Sequence, residues 1–447
     1  MRKKYVIGID FDTLSGKVVL LDTSNGEEIS SRIIEYTDKD MENKLPDGTK
    51  LGGDWTLGNP SNYLNLIKSL VPELLKDAHI YPSQVIALGI DFASYTILPI
   101  DNETSEGLGE DNLFVEATDW ITMQLTGELV TSSMYYLGEK IGELNETASM
   151  NTGLLPGTIL SVPSINAHVS IPALGVTEAE KMVMVMEKSI RYLVLSKEKK
   201  EVPGLCGYVE DRVIPGHYTY ETIQIGAGNI LSCFLERYIN EEYQQAAKNE
   251  GLTNLEYLIK KSEKIRPGQS GLLALNWWDG NSSILDDGDL TSIILGINLE
   301  TKAEEIFRAL MEAVAFGTLK IIKNFREHGI AIKKLYVCGE LADNNPLLMQ
   351  ILSDVCNMEI YVSALSHAMA VGSAMFASVA AGKELGGYDS IFEASKKMSR
   401  LKDIVYRPIP ENVEIYNELF IEYEKLYDYF ANKENSIMKK LKGIRER

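Results

Sequence analysis

Tyr5-Val6-Ile7-Gly8-Ile9-Asp10-Phe11, then Asp12-Thr13-Leu14-Ser15-Gly16, then Lys17-Val18-Val19-Leu20-Leu21-Asp22, reads as strand, turn, strand. Two apolar alternating runs separated by polar residues and glycine are a hairpin signal. The tetrapeptide Gly-Ile-Asp-Phe of positions 8–11 recurs at 89–92, where it closes a second strand predicted over Gln84–Phe92. Both copies end a strand. Chance is the competing reading, since buried strands draw on few residue types. Between the copies, a loop-rich stretch (Asp38–Asn59) precedes helical spacing over Asn62–Lys76, with Leu64, Ile67, Leu70, Val71, Leu74 and Leu75 on one side.

Further on, Thr96–Ile100 is a strand and Asn102–Asn112 a loop or the scar of a deletion. Phe114–Leu125 is a predicted helix, and Asn145–Gly157 is turn-rich. Met182–Met186 is a buried strand. The second half then alternates: helix Glu304–His328, strand Lys334–Cys338, helix Asn345–Cys356, strand Glu359–Val362 and helix Ala368–Ala381. Strand-then-helix alternation indicates an α/β fold with covered sheets. At 447 residues two domains are expected. Pro172 and Gly175 interrupt the pattern, so the division is placed between residues 1–176 and 177–447.

The chain is 45% hydrophobic and 24% charged, the balance of a globular protein. A formal net charge of -20 argues against a nucleic-acid partner. No apolar run reaches the ~18 residues of a membrane span, and the N-terminus lacks the apolar stretch and cleavage site of a signal peptide. Cys206, Cys233, Cys338 and Cys356 are scattered, none in a C-x-x-C pair, as expected for reduced thiols in a cytoplasmic protein without a zinc site. The basic tail Lys439–Arg447 reads as a solvated helix end.

Asp54-Trp55 with Asn59-Pro60, Glu116-Ala117-Thr118-Asp119-Trp120 and Gly204-Leu205-Cys206-Gly207 form an ordered series of tracts. The most specific is Arg266-Pro267-Gly268 through Asn276-Trp277-Trp278-Asp279-Gly280-Asn281, and Asn345–Ile351 follows. Together these tracts resemble the FGGY carbohydrate kinases, most of all their L-ribulokinase branch. The resemblance spans Tyr5 to about Lys442. It implies an actin-like (ribonuclease H-like) two-domain fold and ATP- and Mg²⁺-dependent phosphorylation of L-ribulose or a related pentulose, in pentose metabolism such as arabinose catabolism. Against such chains two interior stretches are short here, Asp101–Leu113 and Tyr136–Pro156, and the first of these bears on the sugar site.

Phosphoryl transfer needs held phosphates, a metal, a proton acceptor and alignment. The resemblance puts Asp10 at the metal, but where the family has glycine in its Asp-x-Gly-Thr turn this chain has Asp12, followed by Thr13. A carboxylate 4 Å from a phosphate costs about 4 kcal/mol at an effective dielectric of 20, unless Asp12 turns away or binds magnesium. The family's catalytic base falls on Asn166 of Ser164–His168, and an amide accepts no proton at neutral pH. His168 is a substitute base or, as lone histidines usually are, structural. The second phosphate loop reads Glu187-Lys188-Ser189, where only Ser189 matches. The adenosine turn reads Gly339-Glu340, with Asn344 downstream on the nucleotide side. Asp91, Glu221 and Gln224 are the expected sugar contacts. The expectation is therefore a ribulokinase-like pseudoenzyme with ATP and Mg²⁺ binding weak or absent. It would serve as a sugar or nucleotide sensor, or as a partner in a homo-oligomer or with an intact ribulokinase. An active pentulose kinase and a structural remnant are the alternatives.

Overall fold

The computed structural model describes residues 3–36, 50, 59–93, 96–101, 112–432 and 436–445. Most of the expected loop Asp38–Asn59 and of the expected deletion scar lies outside these. Internal contacts divide the chain into two units. The first holds Met1–Thr177, Glu210–Gly216 and Leu365–Arg400; the second holds Glu178–Val209, His217–Ala364 and Leu401–Arg447.

In the first unit the strands are β1 (Tyr5–Phe11), β2 (Ser15–Asp22), β3 (Glu28–Glu35), β4 (Val85–Phe92), β5 (Ile97–Asp101), β6 (Asn112–Glu116), β7 (Lys140–Glu143), β8 (Ile159–Ser161) and β9 (Ser164–Ile165). The sheet runs β3-β2-β1-β4-β8-β7, with β9 also on β4, while β5 and β6 form a separate antiparallel hairpin. β1 is antiparallel to β2 but parallel to β4, and β4 is parallel to β8 and β9. Every residue of β1 and β4 is buried, which accounts for their near-continuous apolar reading.

The second unit supplies β10 (Lys181–Met186), β11 (Ile190–Ser196), β12 (Gly207–Glu210), β13 (Tyr218–Gln224), β14 (Leu273–Ala274), β15 (Ile294–Leu295), β16 (Lys334–Cys338), β17 (Ile360–Ser363) and β18 (Leu401–Tyr406). Its sheet runs β12-β13-β11-β10-β16-β17-β18. β10, β11 and β13 are successively antiparallel, and β16 and β17 add in parallel. The same plan therefore occurs twice: three antiparallel strands whose first member is extended by parallel strands. This is the actin-like, ribonuclease H-like arrangement. The long helix Ala303–Glu327 presents Phe307, Leu310, Val314, Phe316 and Ile322 to the second unit's core. Asn345 caps the helix Pro346–Cys356 by accepting from the Leu348 N–H at 3.0 Å.

Three sequence readings change. Phe114–Glu116 belong to β6 rather than to the following helix, which spans Ala117–Thr126, because β5 offers them a hairpin partner. Asn145–Gly157 contains the helix Glu146–Thr152, capped by Asn145, whose side chain accepts from the Ala148 N–H at 2.8 Å. Residues 365–400, allotted by the linear division to the second half, return to the first unit. Their helix Ala368–Leu385 lies against β1 and β4. The basic tail is a helix (Ile437–Arg445), pinned by Lys439–Asp287 at 2.5 Å and Lys442–Asp289 at 2.7 Å. Among the described residues no helix is long and apolar enough to cross a membrane.

Candidate functional site

The repeated tetrapeptide has a structural cause. β1 and β4 run in register, Gly8 beside Gly89 and Asp10 beside Asp91. A Cβ on Gly8 would lie 1.8 Å from the Ala370 carbonyl oxygen, and one on Gly89 would lie 2.0 Å from that of Ser373. Only glycine lets the helix Ala368–Leu385 come this close. Two residues on, on the same face of the sheet, the two aspartates sit at the strands' carboxyl ends. In open α/β sheets this is the edge at which ligands bind.

β9 carries Asn166 to the same edge, since Asp91 pairs with Ser164 and Phe92 with Ile165. Asn166 is half-buried and starts the helix Asn166–Ala173, and His168 is buried within it. The Asp91 carboxylate accepts from Ser373 Oγ. Asp10 Oδ2 faces Lys17 Nζ at 3.6 Å, and Lys17 is its cross-strand partner on β2. The remaining oxygens, Asp10 Oδ1 and Asp91 Oδ1, are buried with no donor among the described residues. Burial pushes both carboxyls above the ordinary carboxylate range. Lys17 pulls Asp10 back and Asp12 adds to its rise, while the charge of Asp10 raises Asp91 further.

Asp12 occupies the β1–β2 turn without a positive φ. Its N–H donates to the Ser15 carbonyl at 3.0 Å, and its carboxylate accepts from the N–H of exposed Thr13 at 2.8 Å. Beside this edge a cavity of about 60 Å³ is lined by Phe92, Ala93, Thr96, Glu116, Ala117, Thr118, Ser164 and Ile165.

The second unit has a corresponding edge, where β10 and β16 end in parallel. Gly339 has φ +105°, and a Cβ there would lie 2.5 Å from the Met186 carbonyl oxygen and 3.1 Å from Glu187 Oε1. Exposed Glu340 opens the short helix Glu340–Asn344, so Asn344 sits at that helix's far end. In the Glu187–Ser189 turn, Ser189 Oγ accepts from the Gly226 N–H at 3.1 Å. The Lys188 carbonyl accepts from the N–H groups of Gly228 and Asn229, both at 3.0 Å, and so caps the helix Asn229–Arg237. Glu221 pairs with Arg191 at 2.6 Å. Gln224 is buried, its amide oxygen accepting from Tyr192, whose hydroxyl also meets Thr318 Oγ1 at 2.8 Å.

Asp10, Asp12, Thr13, Asp91 and Asn166 are thus gathered on the first unit's edge. Ser189, Gly339, Glu340 and Asn344 lie in the second unit, as do Glu221 and Gln224 on β13. Sequence reasoning passed over Lys17 and Ser373. Lys17 was accessible from the hairpin register, whereas nothing local points to Ser373.

A model described as the FGGY family of carbohydrate kinases, C-terminal domain, matches residues 182–381. The ribulokinases of Geobacillus thermodenitrificans and Anoxybacillus flavithermus are 37% and 38% identical over alignments of 553 residues that take in 100% of this chain and 98% of each relative. These alignments reach across both proteins, yet they exceed the chain's 447 residues by more than a hundred positions. The shortfall is therefore internal. Among solved structures, a gluconate kinase from Lactobacillus acidophilus (TM-score 0.80, 13% identity) and a xylulose kinase from Rhodospirillum rubrum (TM-score 0.77, 17% identity) share the fold. Each match covers 96% of this chain and 99% of the other. On the full-length identity to ribulokinases, the chain belongs to the FGGY carbohydrate kinases, in the ribulokinase branch.

Proposed function

We propose that this chain is a ribulokinase-family protein with little or no phosphotransfer activity, acting in pentose metabolism as a sensor of a small sugar or as a partner subunit. The observation that carries this reading is Asn166. β9 delivers it to the edge that holds Asp10 and Asp91, and the resemblance requires a proton acceptor there. Losing a positioned base costs about 10²- to 10⁴-fold. A loose phosphoryl-transfer transition state asks little of that base, so the departures at Asp12, Glu187 and Glu340 add to the case. Asp10, with one buried unpartnered oxygen, remains suited to the Mg²⁺ of a nucleotide, because Mg²⁺ commonly takes one or two carboxylates plus phosphates and water. The hydroxyls of Thr96, Thr118 and Ser164, beside Glu116 and the apolar Phe92, suit a polyhydroxy ligand. The scattered free cysteines suit a cytoplasmic setting.

A coupled ADP-release assay with Mg·ATP across the ketopentoses tests the reading, repeated with the chain added to an authentic ribulokinase. The expected result is no sugar-dependent release by the chain alone. Robust L-ribulose-dependent turnover would establish the active-kinase alternative instead.

A further inference from the structure

We infer that Asp12 is a built-in occupant of the anion position in the β1–β2 turn, closing it by taking the hydrogen-bond donor rather than by repelling charge. This rests on reading that turn as the first phosphate loop. An anion at a tight turn is held by backbone N–H groups that point outward from it. Here the Asp12 N–H is spent on the Ser15 carbonyl at 3.0 Å, the contact that closes the turn. The next donor, the N–H of exposed Thr13, points at the Asp12 carboxylate 2.8 Å away. The nearest cation along the hairpin, Lys17, lies 3.6 Å from the buried carboxylate of Asp10. Asp12 takes this geometry without positive φ, so no backbone strain favours its release. A carboxylate and a phosphate offer the same acceptor oxygens. The side chain's oxygen therefore stands where a ligand oxygen would, and it is this occupancy of the Thr13 N–H, not the charge, that closes the site.

Occupancy and repulsion are separable, because asparagine keeps an acceptor oxygen in the same place while losing the charge. The full chain, labelled with ¹⁵N-threonine, would be titrated with inorganic phosphate at constant ionic strength. The Thr13 amide signal is identified by its loss in Thr13→Ser. In Asp12→Gly and Asp12→Ala that amide should shift and saturate, with an apparent affinity at least about tenfold above the native chain, the scale of one hydrogen bond to a charged group. Asp12→Asn should behave like the native chain. Using both glycine and alanine guards against a folding defect in either. Three outcomes overturn the inference: Asp12→Asn responding as strongly as Asp12→Ala, no response in either the glycine or the alanine variant, or saturation in the native chain itself. Each leaves the proposed function intact, since that is read from sugar-dependent ADP release by the native protein. Such release would remove the proposed function whatever the Thr13 amide does.

Discussion

Asp91 is wholly buried, hydrogen-bonded to Ser373 Oγ and set beside Asp10. Burial first, and the charge of Asp10 second, raise its carboxyl well above the usual 3.8. An acid whose folded pKa exceeds its unfolded value binds more protons in the native state than in the unfolded state between those two values. Stability from this group is then greatest at low pH and falls as pH rises through that window. Asp91→Asn keeps an acceptor for Ser373 and removes the charge set beside Asp10. It should melt above the native chain at alkaline pH, by about 2–4 °C for each kcal/mol of repulsion removed, with the gap closing at mildly acidic pH. A loss of stability that does not vary with pH would contradict this. Asp10 and Asp91 stood out in the sequence as the ends of a repeated tetrapeptide, but it was the resemblance that proposed them as site residues. Ser373 was not legible, being 282 positions from the aspartate it holds.

At the level of elements, the site depends on how closely one helix lies on two strands. Gly89→Ala would set a methyl group 2.0 Å from the Ser373 carbonyl oxygen and 3.2 Å from the Ala377 Cβ. The helix Ala368–Leu385 would have to lift from the sheet, at about 1–3 kcal/mol or more for overpacking. The check is a lower denaturation midpoint at unchanged denaturant slope. Gly443→Ala, in an exposed helix with nothing within 4 Å among the described residues, should be neutral or slightly stabilising. Equal effects at the two positions would mean that the close approach does not matter. The same tertiary contacts explain what was and was not legible. β1, β4, β10 and β16 announce themselves as buried apolar runs. Phe114–Glu116 misread as helix because their strand character comes from β5, and no local pattern records a partner strand.

At the scale of the molecule, strand-helix alternation gave covered α/β sheets and the resemblance implied the two-domain actin-like plan, but neither foretold the return of residues 365–400 to the first unit. That segment's small-residue helix packs as well in one half of a linear reading as in the other, and only the glycines it meets, Gly8 and Gly89, decide. The internal shortfall of more than a hundred positions against ribulokinases adds to the case made at Asn166, because bound alignment supplies roughly 7–11 kcal/mol of barrier lowering in well-positioned reactions. The central claim is impaired phosphotransfer. Its most direct test is phosphorus NMR of ATP, Mg²⁺ and L-ribulose, with the protein at a concentration comparable to the nucleotide, so that even a single turnover would register. The expected result is no sugar phosphate ester above a protein-free control. An ester resonance that grows with protein and requires L-ribulose would contradict it.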